Sequence, residues 1–434
     1  PSGGPTLLIF SMYGTLLCLK EGSLMLSSKE NELLTRVSPG TEMGALMRRY
    51  WIPATLSHLI PKPDCPPARV RLLGENLVAF RDSDGMPGLL DERCPHRTAS
   101  LFFGRNEECG LRCVYHGWKF DIEGNCVDLP SEPPASGLQR KVRVTAYPCV
   151  EHGGIVWCYM GPPDQKPPEP NFEWARLPES HRLMSRQTMD CNWLQGIEGG
   201  FDSSHLGFLH GGVVQGDITR RPSIYEIVST EYGFVAGSGR ERDDDLTFWS
   251  ANVMIMPFQK SIASVPVGVH LWVPIDDEST MQYVVDFRHD RPLTNNDIAR
   301  ETSWNGIHSE NISGTDRPIR NKDNDYLIDR ELQASGKSWT GIKGLGTQDN
   351  GIQETMGPVV DRTIERLGLS DTAIISLRKL YLRTLKDLDA GKTLPGLDPS
   401  TYQVRGSRYT APKGLPFIES VDCQISLEAD LYAG

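Results

Sequence analysis

Two short hooks constrain this chain more than anything else in its 434 residues: Cys94-Pro95-His96 and Cys113-Val114-Tyr115-His116, separated by sixteen residues. Each presents one thiolate and one imidazole from a tight loop, and loops between β-strands can clasp a small inorganic centre from two sides. The surroundings agree. Within 51–160, Val70–Leu73, Leu77–Phe80, Gly88–Asp91, Val142–Thr145 and Ile155–Tyr159 read as strands between Gly, Pro and Asp turns. A helical segment is expected over 25–50, where Ser27 and Ser28 precede an acidic first turn, and a Pro-rich linker over 161–180. The remainder, 181–434, is mixed. Helix is expected over 192–209, from Pro292 to Glu301, and over 361–388 with a break at Gly368. Strands are expected at 223–230, 254–258, 270–274 and 281–288. The fold class is therefore α+β. Residues 1–24 read as an extension: a disordered one, a leftover of expression, or an added packed strand. Their apolar-rich 6–19 lacks a basic lead and a cleavage site, and no run is long enough for a spanning helix, so a cytoplasmic, non-membrane protein is expected.

Zinc accepts mixed Cys/His coordination, but it leaves the flanks of the hooks unexplained. Gly117 lets the backbone pass close to a cluster, and main-chain N–H groups there can support its sulfides. C-P-H, a sixteen-residue gap and C-x-x-H-G-W strongly resemble the Rieske [2Fe–2S] pattern. The resemblance implies Cys94 and Cys113 on one iron and His96 and His116 on the other. The other cysteines look isolated, and ten in all are too few for a disulfide scaffold.

The second concentration runs from Glu198 through Asp202 and His205 to His210. Asp202 and His205 share a helical face. His205 and His210 converge only if Gly207 distorts the helix. Two imidazoles and a carboxylate form the facial triad of mononuclear Fe(II), which leaves positions open for O₂ and substrate. On chemistry alone Asp349, Glu354, Asp361 and Glu365 are near-equal candidates for the distant carboxylate.

With both constellations present, the chain resembles the catalytic (alpha) subunit of Rieske non-haem iron aromatic-ring-hydroxylating oxygenases over roughly residues 25–390, with the phthalate dioxygenase-like branch as its best match. Asn192-Trp193, Glu198, Asp202, His205 and His210 match the iron-site segment. Gln353-Glu354, Asp361-Arg362, Glu365, Leu367-Gly368 and Ser370-Asp371 look like the C-terminal ligand block, which makes Asp361 the implied third ligand beside His205 and His210. The resemblance further implies a helix-grip catalytic domain with a central antiparallel sheet, and a homotrimer or stacked trimers in head-to-tail C3 rings. It gives Asp202 the role of bridging His205 to His116 of the next subunit. Glu198 stands where many relatives carry Asn, and would add negative charge near the site.

The implied reaction is O₂-dependent dihydroxylation of an aromatic carboxylate to a cis-dihydrodiol, or collapse of an aryl ether when the oxidised carbon carries one. The 45 Lys and Arg against 56 Asp and Glu give a net charge of −11, which argues against nucleic acid as a partner. An anionic ring then needs a local anchor. Arg220, Arg221, Arg240, Arg242, Lys260 and His270 lie in the region expected to line the pocket, with Phe208, Val213, Val214, Phe258 and Trp272 as its apolar wall. No dinucleotide fingerprint accompanies Gly341, Gly344 and Gly346. Electrons are therefore expected from a separate NAD(P)H reductase; the resemblance to the phthalate-like branch implies that this partner carries FMN and a plant-type [2Fe–2S] cluster, and it would dock near Arg97, Trp118 and Lys119. Two rival classes are a bare Rieske electron carrier, whose chain would stop near residue 160, and a zinc-stabilised structural module.

Overall fold

The computed structural model describes residues 25–211, 223–303 and 306–427. They form two compact units: 37–171, and the residues up to Arg36 together with those from Phe172 onward. The expected extension over 1–24 lies outside the described residues.

Helix α1 (Ser28–Thr35) opens with a capping box: the Ser27 hydroxyl accepts from the Glu30 N–H and the Glu30 carboxylate accepts from the Ser27 N–H. It belongs to the larger unit, where Asn31 donates to the Val360 carbonyl (3.0 Å) and Asn192 to the Thr35 carbonyl (2.9 Å). Helix α2 (Glu42–Met47) belongs to the smaller one, where Arg48 pairs with Glu75 at 2.7 Å. The helical segment expected over 25–50 is thus divided between the two units. Pro39 and Gly40 (φ +88°) break it, and the units part at Arg36/Val37.

The smaller unit is all β. Its strands are β1 (Trp51–Leu56), β2 (Ala68–Leu72), β3 (Glu75–Arg81), β4 (Pro87–Asp91), β5 (Arg105–Glu107), β6 (Gly110–Arg112), β7 (Lys119–Phe120), β8 (Cys126–Asp128), β9 (Ala146–Tyr147), β10 (Cys149–His152) and β11 (Ile155–Tyr159). They make antiparallel sheets in the orders β1-β11-β10, β2-β3-β4-β9 and β5-β6-β7-β8. Val78, Phe80, Leu90, Leu111 and Phe120 form a buried core that also encloses Cys94, Cys113 and Trp118.

The larger unit runs α3 (Glu173–Arg176), β12 (Arg182–Met189), α4 (Trp193–Phe201), β13 (Ile224–Thr230), β14 (Gly233–Glu241), β15 (Leu246–Ile255), β16 (Gln259–Ile262), β17 (Val267–Pro274), β18 (Thr280–Phe287), α5 (Asn295–Glu301), α6 (Arg330–Ala334), α7 (Leu345–Thr355), α8 (Thr372–Asp389), β19 (Ser407–Pro412) and α9 (Ile418–Ile425). One antiparallel sheet, ordered β12-β18-β17-β16-β15-β14-β13, takes β19 alongside β15. Strand β14 holds one edge of β15, so β16 and β19 share the other. Two expected helices are shorter than their sequence pattern. Helix α4 stops at Phe201, where Asp202 turns to an extended backbone, and α8 begins only at Thr372.

The glycines of α4 let it lie flat on the sheet. A Cβ at Gly196 would sit 2.3 Å from the Trp272 ring, one at Gly200 2.4 Å from the same ring, and one at Gly199 2.1 Å from the Gln353 amide of α7. Replacing Gly196 by Ala favours an isolated helix by about 1 kcal/mol, but wedging a methyl against buried Trp272 costs about 1–3 kcal/mol. Gly196→Ala is therefore expected to lower the urea midpoint of unfolding. A raised midpoint would show that the close approach does not constrain the helix.

Candidate metal centres and active site

In the smaller unit both hooks are closed by the backbone. The Thr98 N–H donates to the Cys94 carbonyl and the Cys94 N–H to Ala99. The Gly117 N–H donates to Cys113 and the Cys113 N–H to Trp118. Gly117 takes φ +80°, and a Cβ there would lie 2.7 Å from the Pro130 ring. The imidazoles of His96 and His116 sit edge to face at 4.4 Å, and Trp118 stacks on His96 at 4.3 Å. Burial, with Cys113 alongside, pushes the Cys94 thiol up to about 11. Desolvation, then His96 and Arg97, holds His116 below its ordinary value and favours the neutral imidazole that binds metal. His96 Nδ1 is buried with no hydrogen-bond partner among the described residues. Two buried thiols, two converging imidazoles and an orphaned ring nitrogen fit a cluster held between the hooks. The expected docking surface changes in detail. Trp118 and Lys119 are buried and bonded to Ser131 and Glu108, whereas Arg97, Val114 and Tyr115 are exposed.

In the larger unit the break after α4 makes the second site. Asp202 ends the helix and accepts from the Ser204 N–H (2.7 Å), and His205 follows on a 3₁₀ turn through Gly207. His205 turns Nδ1 to Asp202 (3.4 Å), and His210 turns Nδ1 to the Gln348 amide oxygen (2.7 Å). Both rings aim Nε2 at one oxygen, Oδ1 of Asp349, at 3.5 and 3.1 Å. The three ligand atoms lie within 4.8 Å of one another. Burial opposes charge on Asp349, but His210 and His205 hold its carboxyl below the usual range. Burial likewise opposes the charged form of His210, and Asp349 with Gln348 outweighs it. With both Nδ1 atoms engaged by acceptors, each ring offers Nε2 to a metal.

Asp349, not Asp361, therefore completes the triad. Asp361 is exposed and spends its carboxylate on the Thr363 N–H (2.9 Å) and hydroxyl, in the non-helical stretch before α8. The helix expected to carry it starts eleven residues later, whereas α7 sets Asp349 next to Gln348, which already holds His210. Glu198 has its charge compensated. It is buried against Arg362 (2.8 Å) and Arg378 (2.6 Å), which overcome burial and hold it ionised, and Arg378 also pairs with Glu365.

A cavity of about 240 Å³ adjoins the triad. Its strand residues are all even-numbered: Ser238, Ser250, Asn252, Lys260, Ile262, Gly268, His270, Trp272, Gln282, Asp286 and Arg408 lie on one face of the sheet. Lys260 lines it but donates to the Gly200 carbonyl near the end of α4, and burial lowers it to about 8. Burial and then Lys260 lower His270 to about 3, so it is a neutral imidazole. Arg408 also lines the cavity, is exposed, and makes no side-chain hydrogen bond or ion pair among the described residues. No signal before β19 singled it out. Phe258 is core, and Phe208 lies exposed against Trp339, so neither lines the cavity. Trp272 does. Arg240 is buried, and Arg242 pairs with Asp244. Arg220, Arg221, Val213 and Val214 lie outside the described residues.

A β-unit with paired Cys/His hooks, and a separate triad that leaves metal positions open beside a cavity, define an O₂-using iron–sulfur oxidoreductase. A family model of the Rieske [2Fe-2S] domain matches residues 50–148, and one described as LigXa C-terminal domain like matches 242–409. The chain is 38% identical over 418 residues to the 3-chlorobenzoate-3,4-dioxygenase oxygenase subunit of Comamonas testosteroni, covering 90% of this chain and 96% of that one. It is 39% identical over 401 residues to the phthalate 4,5-dioxygenase oxygenase subunit of Pseudomonas putida, covering 86% and 89%. The solved NdmA QL mutant with caffeine, from Pseudomonas putida CBB5, shares the fold at TM-score 0.57 and 21% identity, over 81% of this chain and 94% of that one. The chain belongs to the Rieske non-haem iron ring-hydroxylating oxygenases. It is an aromatic-ring-oxidising enzyme with a Rieske [2Fe-2S] cluster and a mononuclear iron site of two histidines and one carboxylate. The electron-carrier and zinc readings are set aside by this membership. No helix among the described residues is long and apolar enough to cross a membrane.

The triad yields a direct test. Asp349→Ala is expected to lose the mononuclear iron and keep the cluster's two, while Asp361→Ala keeps all of them. Iron analysis with the visible spectrum of the cluster reads both. Loss of iron on changing Asp361 would overturn the assignment.

Proposed function

We propose that the chain is the terminal oxygenase of a phthalate dioxygenase-like system that dihydroxylates an aromatic carboxylate to a cis-dihydrodiol. The observation that carries this is an unengaged cation, Arg408, in a cavity that also holds the His205–His210–Asp349 triad. A guanidinium matches a carboxylate in geometry and charge. The two relatives above are named for 3-chlorobenzoate and phthalate, both aromatic acids.

In this reading Cys94, Cys113, His96 and His116 hold the cluster, and His205, His210 and Asp349 hold the iron. When bound, the two centres supply electrons and O₂ activation; the reaction joins one O₂, two electrons and two protons to the ring. Lys260 neutralises the end of α4 and steadies the turn that carries Asp202 and His205. His270 contributes a neutral wall. Asp202 keeps side-chain exposure beyond its contact with His205, as a carboxylate bridging to His116 of a neighbouring copy in a C3 trimer requires. Electrons come from an NAD(P)H reductase with FMN and a plant-type [2Fe–2S] cluster, which meets the exposed rim of Arg97, Val114 and Tyr115.

Single-turnover mixing of the reduced enzyme with O₂ tests this. Phthalate, 3-chlorobenzoate or a hydroxybenzoate is expected to trigger cluster reoxidation and one equivalent of dihydrodiol. Asp202→Asn is expected to keep both metals and slow reoxidation about a hundredfold. Turnover of neutral arenes in preference to acids, or normal reoxidation in Asp202→Asn, would overturn the corresponding part.

A further inference from the structure

The cavity that receives the ring is not uniformly cationic. Asp286 lines it from β18 and is 4% exposed. Its Oδ2 faces His308 Nε2 at 3.0 Å, and His308 Nδ1 faces the Ser185 hydroxyl at 2.5 Å, so the carboxylate is fixed from behind. Its other oxygen, Oδ1, accepts no hydrogen bond among the described residues. Glycine at 268 leaves the space in front of it open: a Cβ there would lie 3.5 Å from Oδ1 and 3.2 Å from the Ser264 hydroxyl. Glu301 lines the same cavity. Burial and then Asp286 raise its carboxyl.

An anchored carboxylate oxygen facing an open cavity can accept from a bound ligand, and a ligand that covers it without donating leaves a buried acceptor unpaired, which is costly. Register places the two ends of the site. Asp286 pairs with Gly268, and Gly268 with Ile262 on β16, while Arg408 on β19 pairs with Ser250 in the strand column that β16 occupies. Arg408 and Asp286 are thus two strands apart and offset along them, on the order of 10 Å. That suits one substituted benzene ring with a hydrogen bond at each end. A second carboxylate at the Asp286 end would meet like charge.

We infer that Asp286 is a specificity-determining residue that selects aromatic monocarboxylates carrying a hydroxyl or amino group, the donor directed to Oδ1 while the carboxylate takes Arg408. This rests on the aromatic-acid reading above and narrows it. A binding site built to accept a substrate donor discriminates strongly against the analogue that lacks it.

Anaerobic calorimetric binding to the iron-loaded enzyme separates the two. The probes are benzoate, the three hydroxybenzoates, the three fluorobenzoates, phthalate and phenol. Fluorine is close in size to hydroxyl and donates nothing. At one ring position the hydroxybenzoate is expected to bind at least about tenfold more tightly than the fluorobenzoate, and phthalate more weakly than that hydroxybenzoate. In Asp286→Asn the amide oxygen stays on His308 and the NH₂ faces the cavity, so the ratio falls to about unity or inverts. Equal affinities at all three positions in the unmodified enzyme overturn the inference without any variant, as does an unchanged ratio in Asp286→Asn. Binding of phenol as tightly as hydroxybenzoate would overturn the carboxylate anchor and leave the role of Asp286 standing. Failure of every probe to bind would overturn both.

Discussion

Helix α4 can do its work only because it is allowed to touch. Three glycines bring its backbone onto Trp272 of the sheet on one side and Gln353 of α7 on the other. Close-packed interiors transmit such constraints rigidly. With α4 pinned between β17 and α7, the turn that leaves its end carries Asp202 and His205 toward the helix that carries Gln348 and Asp349. The same contact brings the last carbonyls of α4 within reach of Lys260, whose charge complements the helix terminus.

A buried ionic cluster ties this arrangement to the rest of the larger unit. Glu198 of α4 joins Arg362 and Arg378, with Asn31 of α1 and Glu365 as outer partners. Charges this deep are tolerated because each has several hydrogen bonds, and removing one member strands the others in a medium that solvates them poorly. What the sequence suggested as extra charge near the iron is a lock between α1, α4 and α8.

The parts of the site that could be read from the sequence are those whose geometry is local. The four hook residues lie two and three apart, and tight turns with Gly117 leave them little choice of direction. His205 and His210 needed a break, expected at Gly207; the helix breaks earlier, at Asp202, and Gly207 lies within the 3₁₀ turn that follows. The third carboxylate was different. It lies far along the chain, four acids were chemically equivalent, and only the packing of α7 against α4 separates Asp349 from Asp361. Resemblance to a ligand block misplaced it. The substrate wall was equally hidden, because the alternation of a sheet face says which residues share a side and not which are already spoken for. Lys260 and His270 were foreseeable as lining residues. Burial lowers both, Lys260 adds to the effect on His270, and the Lys260 ammonium is spent on the Gly200 carbonyl, none of which a spacing rule reports.

The orientation of the two histidines has a consequence for how the protein acquires its metal. Asp202 and Gln348 hold the Nδ1 sides, so both Nε2 atoms and Asp349 Oδ1 point to one place. Two imidazole nitrogens and one carboxylate oxygen bind divalent ions in the general order for such donors, in which Fe²⁺ stands below Co²⁺, Ni²⁺, Cu²⁺ and Zn²⁺. The three atoms alone therefore do not favour iron over those ions, and selection rests on metal availability and on the rest of the coordination shell.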